Sequence, residues 1–187
     1  MMLDEDKEES LNIIFLRGDV LDFKGDAIIC PCCTELTFID RSELLKSISN
    51  IAGDDLLKEL CTIGYCNIGN VIITKGYNLQ VKNIIHVPYI DRSETEVITF
   101  TELHEAIRNA FDLAILYELK KIAIVPFPLK PDETPVKNNQ KKWLSWIGYQ
   151  RHNLELSSKE SVDIITGLFN GYKNQIEQLT VYVDGEL

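Results

Sequence analysis

No apolar run in this chain approaches the ~20 residues needed to cross a bilayer, so no spanning segment and no membrane partner are expected. Basic clusters are missing as well: the densest stretch, Lys137 to Lys142, holds three lysines. With 19 Lys and Arg against 29 Asp and Glu, the net charge is −10, which repels phosphate backbones and argues against nucleic acid as a partner. Neither a P-loop nor a glycine-rich dinucleotide fingerprint occurs. Histidine is scarce, at 3 residues, and His86, His104 and His152 have no nucleophile at motif spacing, so no catalytic residue is assigned and no cofactor is implied. The opening MMLDEDKEES lacks the basic start and apolar core of an export signal. Five cysteines, an odd number, then read as reduced thiols, and a cytoplasmic protein is expected. No internal repeat or shift of composition marks a second domain, and 187 residues suit a single domain spanning 1–187 with a full core.

What the chain does contain is organised around Ile13 to Cys33. Two β-branched runs, Ile13 to Leu16 and Ala27 to Cys30, flank a turn-rich stretch with Gly18, Asp19, Asp22, Gly25 and Asp26, which predicts strand, acidic turn, buried strand. A ligand is expected at those strand ends. Residues 1–10 read as an acidic arm without an apolar face. Ser42 to Leu60 has helical spacing, interrupted at Ala52-Gly53-Asp54. Val71 to Lys75 and Lys82 to Pro88 read as a hairpin around Gly76-Tyr77-Asn78-Leu79. Thr99 and Glu102 have capping-box spacing ahead of an amphipathic helix.

Lys121 to Phe127 follows as a buried strand, with Pro126 tolerable near its end. Ser157 and Glu160 predict the start of a last helix, and Thr180 to Val183 a closing strand. Gly167 and Gly171 inside that helix imply close packing on the sheet. The alternation predicts an α/β fold of three layers, α/β/α, with a mixed, mostly parallel central sheet. One stretch stands apart, the insertion 128–156, with Pro128, Pro131, Pro135, Trp143 and Trp146. Its aromatic residues either fold it down as a satellite cluster or offer a surface to a protein partner.

Gly18-Asp19 at the end of the first strand, Asp26-Ala27 opening the second, Ala52-Gly53, and the series Thr74, Gly76, Asn78, Leu79, Ile84, Ile85, His86 together resemble the macro domain family. The resemblance runs from Ile13 to Val183 with an insertion. It implies an α/β/α module whose cleft at the strand ends holds ADP-ribose or a related nucleotide, and some members hydrolyse ADP-ribosyl bonds. By position it implies that Asp19 accepts from the adenine amino group and Val20 offers its backbone, a carboxylate being about twice as strong an acceptor as a neutral oxygen. Cys30 and Cys33 stand where the family keeps its ribose-orienting Asn pair, and a thiol cannot replace an amide's paired donor and acceptor.

Arg41, Ser42 and Glu43 occupy the family's glycine run, and Leu129, Lys130, Pro131 and Asp132 to Thr134 its diphosphate loop, where proline has no N–H to give. The implied ligand residues are therefore Asp19, Val20, Cys30, Cys33, Pro128 and Leu129. The expectation is a divergent binding module with weak affinity for ADP-ribose or a related nucleotide, without hydrolase activity. Two alternatives stay open: a protein-interaction module using Trp143 and Trp146, and a thiol redox protein using Cys30 and Cys33. For the cysteines, plain packing, a redox pair and a zinc set of Cys30, Cys33, Cys61 and Cys66 all fit the spacing. Asp19 likewise reads as ligand contact or as ordinary turn chemistry.

Overall fold

A computed structural model describes residues 12–37, 43–91, 98–127 and 154–183, of which 154–158 are described by backbone alone. The strands are β1 (Ile13–Leu16), β2 (Ala27–Cys33), β3 (Ile72–Lys75), β4 (Asn83–Ile90), β5 (Lys121–Ile124) and β6 (Gln178–Tyr182), in the sheet order β1-β6-β5-β2-β4-β3. Every pairing is parallel except β3 with β4, so the sheet is mixed and mostly parallel, as the sequence predicts. The helices are α1 (Glu43–Ala52), α2 (Asp54–Ile63), α3 (Phe100–Leu116) and α4 (Leu154–Phe169). Leu45, Ile48, Leu56 and Leu60 of α1 and α2 fill the core on one face of the sheet. On the other face, Leu103, Ile107 and Phe111 of α3 meet Ile165 and Phe169 of α4, with Phe111 and Phe169 edge to face at 5.7 Å. The result is the three-layer α/β/α architecture.

Strands β2 and β4 are longer than the sequence reading allowed, because Pro31 and Pro88 look like terminators and are not. The ladder between β5 and β2 stops at Ile29, and that between β3 and β4 stops at His86. Past those residues one side of each strand has no partner ladder for a missing N–H to break, so proline is tolerated in the middle of the sheet. β5 ends at Ile124, short of Pro126.

Helix α4 begins at Leu154, so residues 154–156 of the expected insertion are helical and Ser157 lies inside the helix, not at its cap. Gly167 is exposed and an added Cβ would meet nothing within 4 Å, while Gly171 lies beyond the helix end. The close packing expected of these glycines is therefore absent. Elsewhere local chemistry behaves as read: Thr99 and Glu102 form the reciprocal capping box of α3, and Gly53, at φ 86, separates α1 from α2. At Gly76 a Cβ would collide with the Val81 carbonyl, which fixes glycine in the β3–β4 turn. The acidic arm, Arg41, Pro128, Leu129, Trp143 and Trp146 lie outside the described residues.

At the amino-terminal rim of the sheet, Asp26 ties three strands together. One carboxylate oxygen accepts from the backbone N–H groups of Lys120 at 2.8 Å and Lys121 at 2.9 Å, and the other from Lys82 Nζ at 2.7 Å. Its carbonyl accepts from Lys82 and Asn83, each at 3.0 Å. Burial alone would raise the Asp26 pKa, but the bonds from Lys82, Lys121 and Lys120 together outweigh it and hold the carboxyl below its usual value.

Because β1, β6, β5, β2 and β4 run the same way, their carboxyl ends share one rim. From β2 the chain moves outward to β3 and β4, then crosses through α3 to β5 on β2's other side. Open α/β sheets bind ligands at such a reversal, outside the carboxyl ends.

Candidate functional site

On that rim the turn after β1 is built by three residues. Gly18 takes φ 143, a conformation suited to glycine, and swings the chain out of the strand. Asp19 is exposed and caps a single 3₁₀ turn, Val20–Asp22: its Oδ1 accepts from the Leu21 N–H at 2.9 Å, and its carbonyl from the Asp22 N–H at 3.1 Å. The turn-chemistry reading of Asp19 is thus realised through one oxygen, and a carboxylate offers lone pairs on two. Val20 anchors the turn in the core at 4% exposure.

Beside this turn lies a half-buried apolar shelf. Leu21, Leu44, Val125 and Tyr182 pack against the core on the α1–α2 side while remaining partly accessible. Tyr182 ends β6 in register with Leu16 of β1. Burial and then the carboxylates of Asp22 and Asp19 push its pKa up, which reflects how close the phenol lies to both. Sequence reasoning missed Tyr182, because only the pairing of the first strand with the last brings it to Asp19.

The carboxyl end of β2 is closed by contrast. Cys32, Cys33 and Thr34 are 3%, 3% and 2% exposed. The Thr34 N–H is bonded to the Ile90 carbonyl at 3.0 Å, the Thr34 carbonyl accepts from Cys66 at 2.9 Å, and the Leu36 N–H reaches the Gly64 carbonyl at 3.3 Å. The strand end is therefore laced to β4 and to the segment after α2.

Cys30 sits deeper, in the middle of β2, at 0% exposure. It belongs to the core on the α1–α2 face, whereas Cys33 belongs to the core on the opposite face. The two sulfurs thus do not form the redox pair that their spacing allows. Nor is the zinc set assembled: Cys61 is exposed on α2, and among the described residues no group of three metal-ligating side chains occurs. Burial pushes the Cys30 thiol up to about 12 and raises Cys32 and Cys66 too, which favours packing over thiolate chemistry.

Cys30 has a polar neighbour that the sequence did not reveal. His86 lies within β4, in register with Cys30, with Nδ1 3.9 Å from the Cys30 sulfur and Nε2 2.9 Å from Thr74 Oγ1. Its side-chain partner Thr74 is the diagonal cross-strand neighbour in the β3–β4 pair, and all three side chains are at most 2% exposed. Burial lowers the His86 pKa to about 4, so imidazole and thiol are both neutral near pH 7 and no thiolate–imidazolium pair forms.

Comparison with known proteins agrees with this architecture. A family model described as Macro domain matches residues 37–131. Ganglioside-induced differentiation-associated protein 2 of Homo sapiens is 30% identical over 109 residues, which cover 58% of this chain and 22% of that protein. ADP-ribose glycohydrolase MACROD1 of Rattus norvegicus is 28% identical over 120 residues, covering 64% of this chain and 46% of its own length. The chain thus spans less than half the length of either curated relative. Among solved structures, the ganglioside-induced differentiation-associated protein 2 macro domain superposes with a TM-score of 0.67 at 22% identity, over 92% of this chain and 77% of that one. The Trypanosoma brucei macrodomain in complex with ADP-ribose gives 0.65 at 20% identity, over 91% and 63%. At these identities the superpositions speak for the fold.

Proposed function

The chain belongs to the macro domain family, and on that premise we propose that it is a divergent binding module holding an adenine-bearing ligand of the ADP-ribose class at the Asp19 turn, without hydrolysing it. One observation carries this reading: an exposed carboxylate at the carboxyl end of β1 stands beside a half-buried apolar shelf that includes Tyr182. A flat heteroaromatic base with an exocyclic amine fits that combination, the ring against the shelf and the amine on Asp19, with the Val20 backbone alongside. Pro128 and Leu129, which follow β5 in sequence, and Cys33 at the end of β2 are the other ligand residues that the family resemblance implies, while Cys30 supports β2 from within the core.

Side-chain chemistry disfavours hydrolysis. Cys30 and Cys33 stand at the positions of the family's ribose-orienting amides, and a buried thiol lacks the paired donor and acceptor with which an amide holds a ribose. Calorimetric titration with ADP-ribose is the test, with weak binding and no release of ribose expected. Asp19→Ala should weaken any binding about tenfold, a hydrogen bond to a charged group being worth roughly 1.5–3 kcal/mol. Binding that ignores Asp19→Ala would move the site elsewhere, and turnover would refute the non-hydrolytic reading.

A further inference from the structure

The chain leaving β5 is turned by a contact from the far side of the sheet. Along β5 the side chains alternate as a pleat requires: Ile122 and Ile124 enter the core under α3 and α4, and Ala123 and then Val125 face the core under α1 and α2. A pleat continued past the strand end would put Phe127 on the same face as Val125. It lies on the other, at 0% exposure, in the core under α3 and α4. The chain therefore rolls over at Pro126, which has no N–H to give a neighbouring strand.

Ser161 of α4 holds the rolled segment. Its hydroxyl is fully buried, and its Oγ accepts from the Phe127 N–H at 2.7 Å. The neighbours of Ser161 along α4, Val162, Ile164 and Ile165, all belong to the apolar core, where a hydroxyl is costly unless it is bonded. Here it satisfies a buried backbone donor that would otherwise carry a similar penalty.

The roll matters at the opposite face, because Val125 belongs to the half-buried apolar shelf beside the Asp19 turn. Same-face neighbours two residues apart in an extended chain are about 7 Å apart, within reach of an aromatic ring. A phenyl ring on that face at position 127 would cover Val125. Resting on the reading of this shelf as the seat of an adenine ring, we propose that Ser161 is a positioning residue for ligand binding: by accepting the Phe127 N–H it keeps that ring on the α4 side and the shelf open. Ser161 touches no ligand in this arrangement and acts across the sheet through Phe127. The Phe127 ring is then the chain's own competitor for the shelf.

The test uses the full chain, ADP-ribose as the probe, and nuclear magnetic resonance of the Phe127 amide and the Val125 methyl groups. In Ser161→Ala the Phe127 amide should exchange with solvent about tenfold faster or more, as its protecting bond is gone. ADP-ribose affinity should fall about tenfold, in step with the share of chains whose shelf stays open. Ile165→Val, which trims the same helix without altering that bond, should lose stability and keep wild-type affinity. Ser161→Cys keeps the size with a weaker acceptor, so its exchange and affinity should fall between, and it carries the test where the alanine variant does not fold. Wild-type affinity in either Ser161 variant once Phe127 exchange has quickened, or an equal loss in Ile165→Val, would overturn the positioning role and leave the adenine site standing. Failure of the wild type to bind ADP-ribose, or binding that leaves the Val125 methyl groups unmoved and ignores Asp19→Ala, would overturn the adenine reading itself, and with it this inference.

Discussion

Acidification from pH 7 to pH 5 should destabilise this protein through His86. In the folded chain burial lowers its pKa from 6.5 to about 4, whereas the unfolded chain restores the ordinary value. Between those values the unfolded state binds a proton that the folded state refuses. Stability from this group is therefore full above about pH 6.5, declines as pH falls, and levels off below about pH 4. A 2.5-unit gap corresponds to about 3 kcal/mol in full, of which about 2 kcal/mol is gone at pH 5. That is a large fraction of the 5–15 kcal/mol typical of a domain.

Asp26 does not confuse the reading, because its carboxyl is held below 3.8 and its contribution is lost only at more acidic pH. Urea unfolding followed by far-ultraviolet circular dichroism at pH 7, 6 and 5 measures the loss. His86→Gln, which cannot titrate, supplies the control. The variant should be weaker at pH 7, through its disturbed bond to Thr74, yet flat between pH 7 and 5. Parallel curves for wild type and variant, or an NMR titration of His86 centred near 6.5, would refute the reasoning.

Three further outcomes follow from the packing. Asp26→Ala should cost about 2–3 kcal/mol, because the backbone N–H groups of Lys120 and Lys121 lose their acceptor, and Asp26→Asn less; equal, negligible losses in urea titration would contradict the clamp. Gly167→Ala should stabilise by up to roughly 0.5–1 kcal/mol, since the site is open and lies in the last turn of α4, raising Tm by a few degrees in calorimetry; a lower Tm would mean an unseen contact. Alkylation of native protein near pH 7, mapped by mass spectrometry, should label Cys61 first and Cys30 and Cys32 only at the pace of unfolding, and mild oxidant should not join Cys30 to Cys33.

Much of the fold was readable because local signals were strong and agreed with one another: the capping box at Thr99, the Gly53 break, the hairpin and the β-branched runs. The misplaced boundaries have a common cause. Pro31, Pro88 and the Ser157–Glu160 spacing act as stop or start signals only in the right tertiary setting, and whether a neighbouring strand still needs an N–H cannot be read from a proline's own sequence. Of the proposed site, Asp19 and Val20 can be named from sequence because they lie in one turn, whereas Tyr182 comes to that turn only through the pairing of β1 with β6. The cysteine spacing misled for the same reason. Which face of a sheet a strand residue takes depends on pleat and on the register shift between Cys32 and Cys33, and neither is visible in a C-x-x-C pattern.

The pairing of Ile13–Leu16 with Leu179–Tyr182 also dictates an order of assembly on the ribosome. Of these two strands the first made must wait for the second, so β1 leaves the tunnel with its partner still unsynthesised and cannot enter the sheet until β6 follows it. Contacts of such long sequence separation are slow to form. Meanwhile the segment IIFL is the kind of exposed β-branched and aromatic stretch that pairs with other chains. The residues just ahead of it, Asp4, Glu5, Asp6, Glu8 and Glu9, put like charge on every nascent copy at that point, and so guard the waiting strand until its own partner arrives.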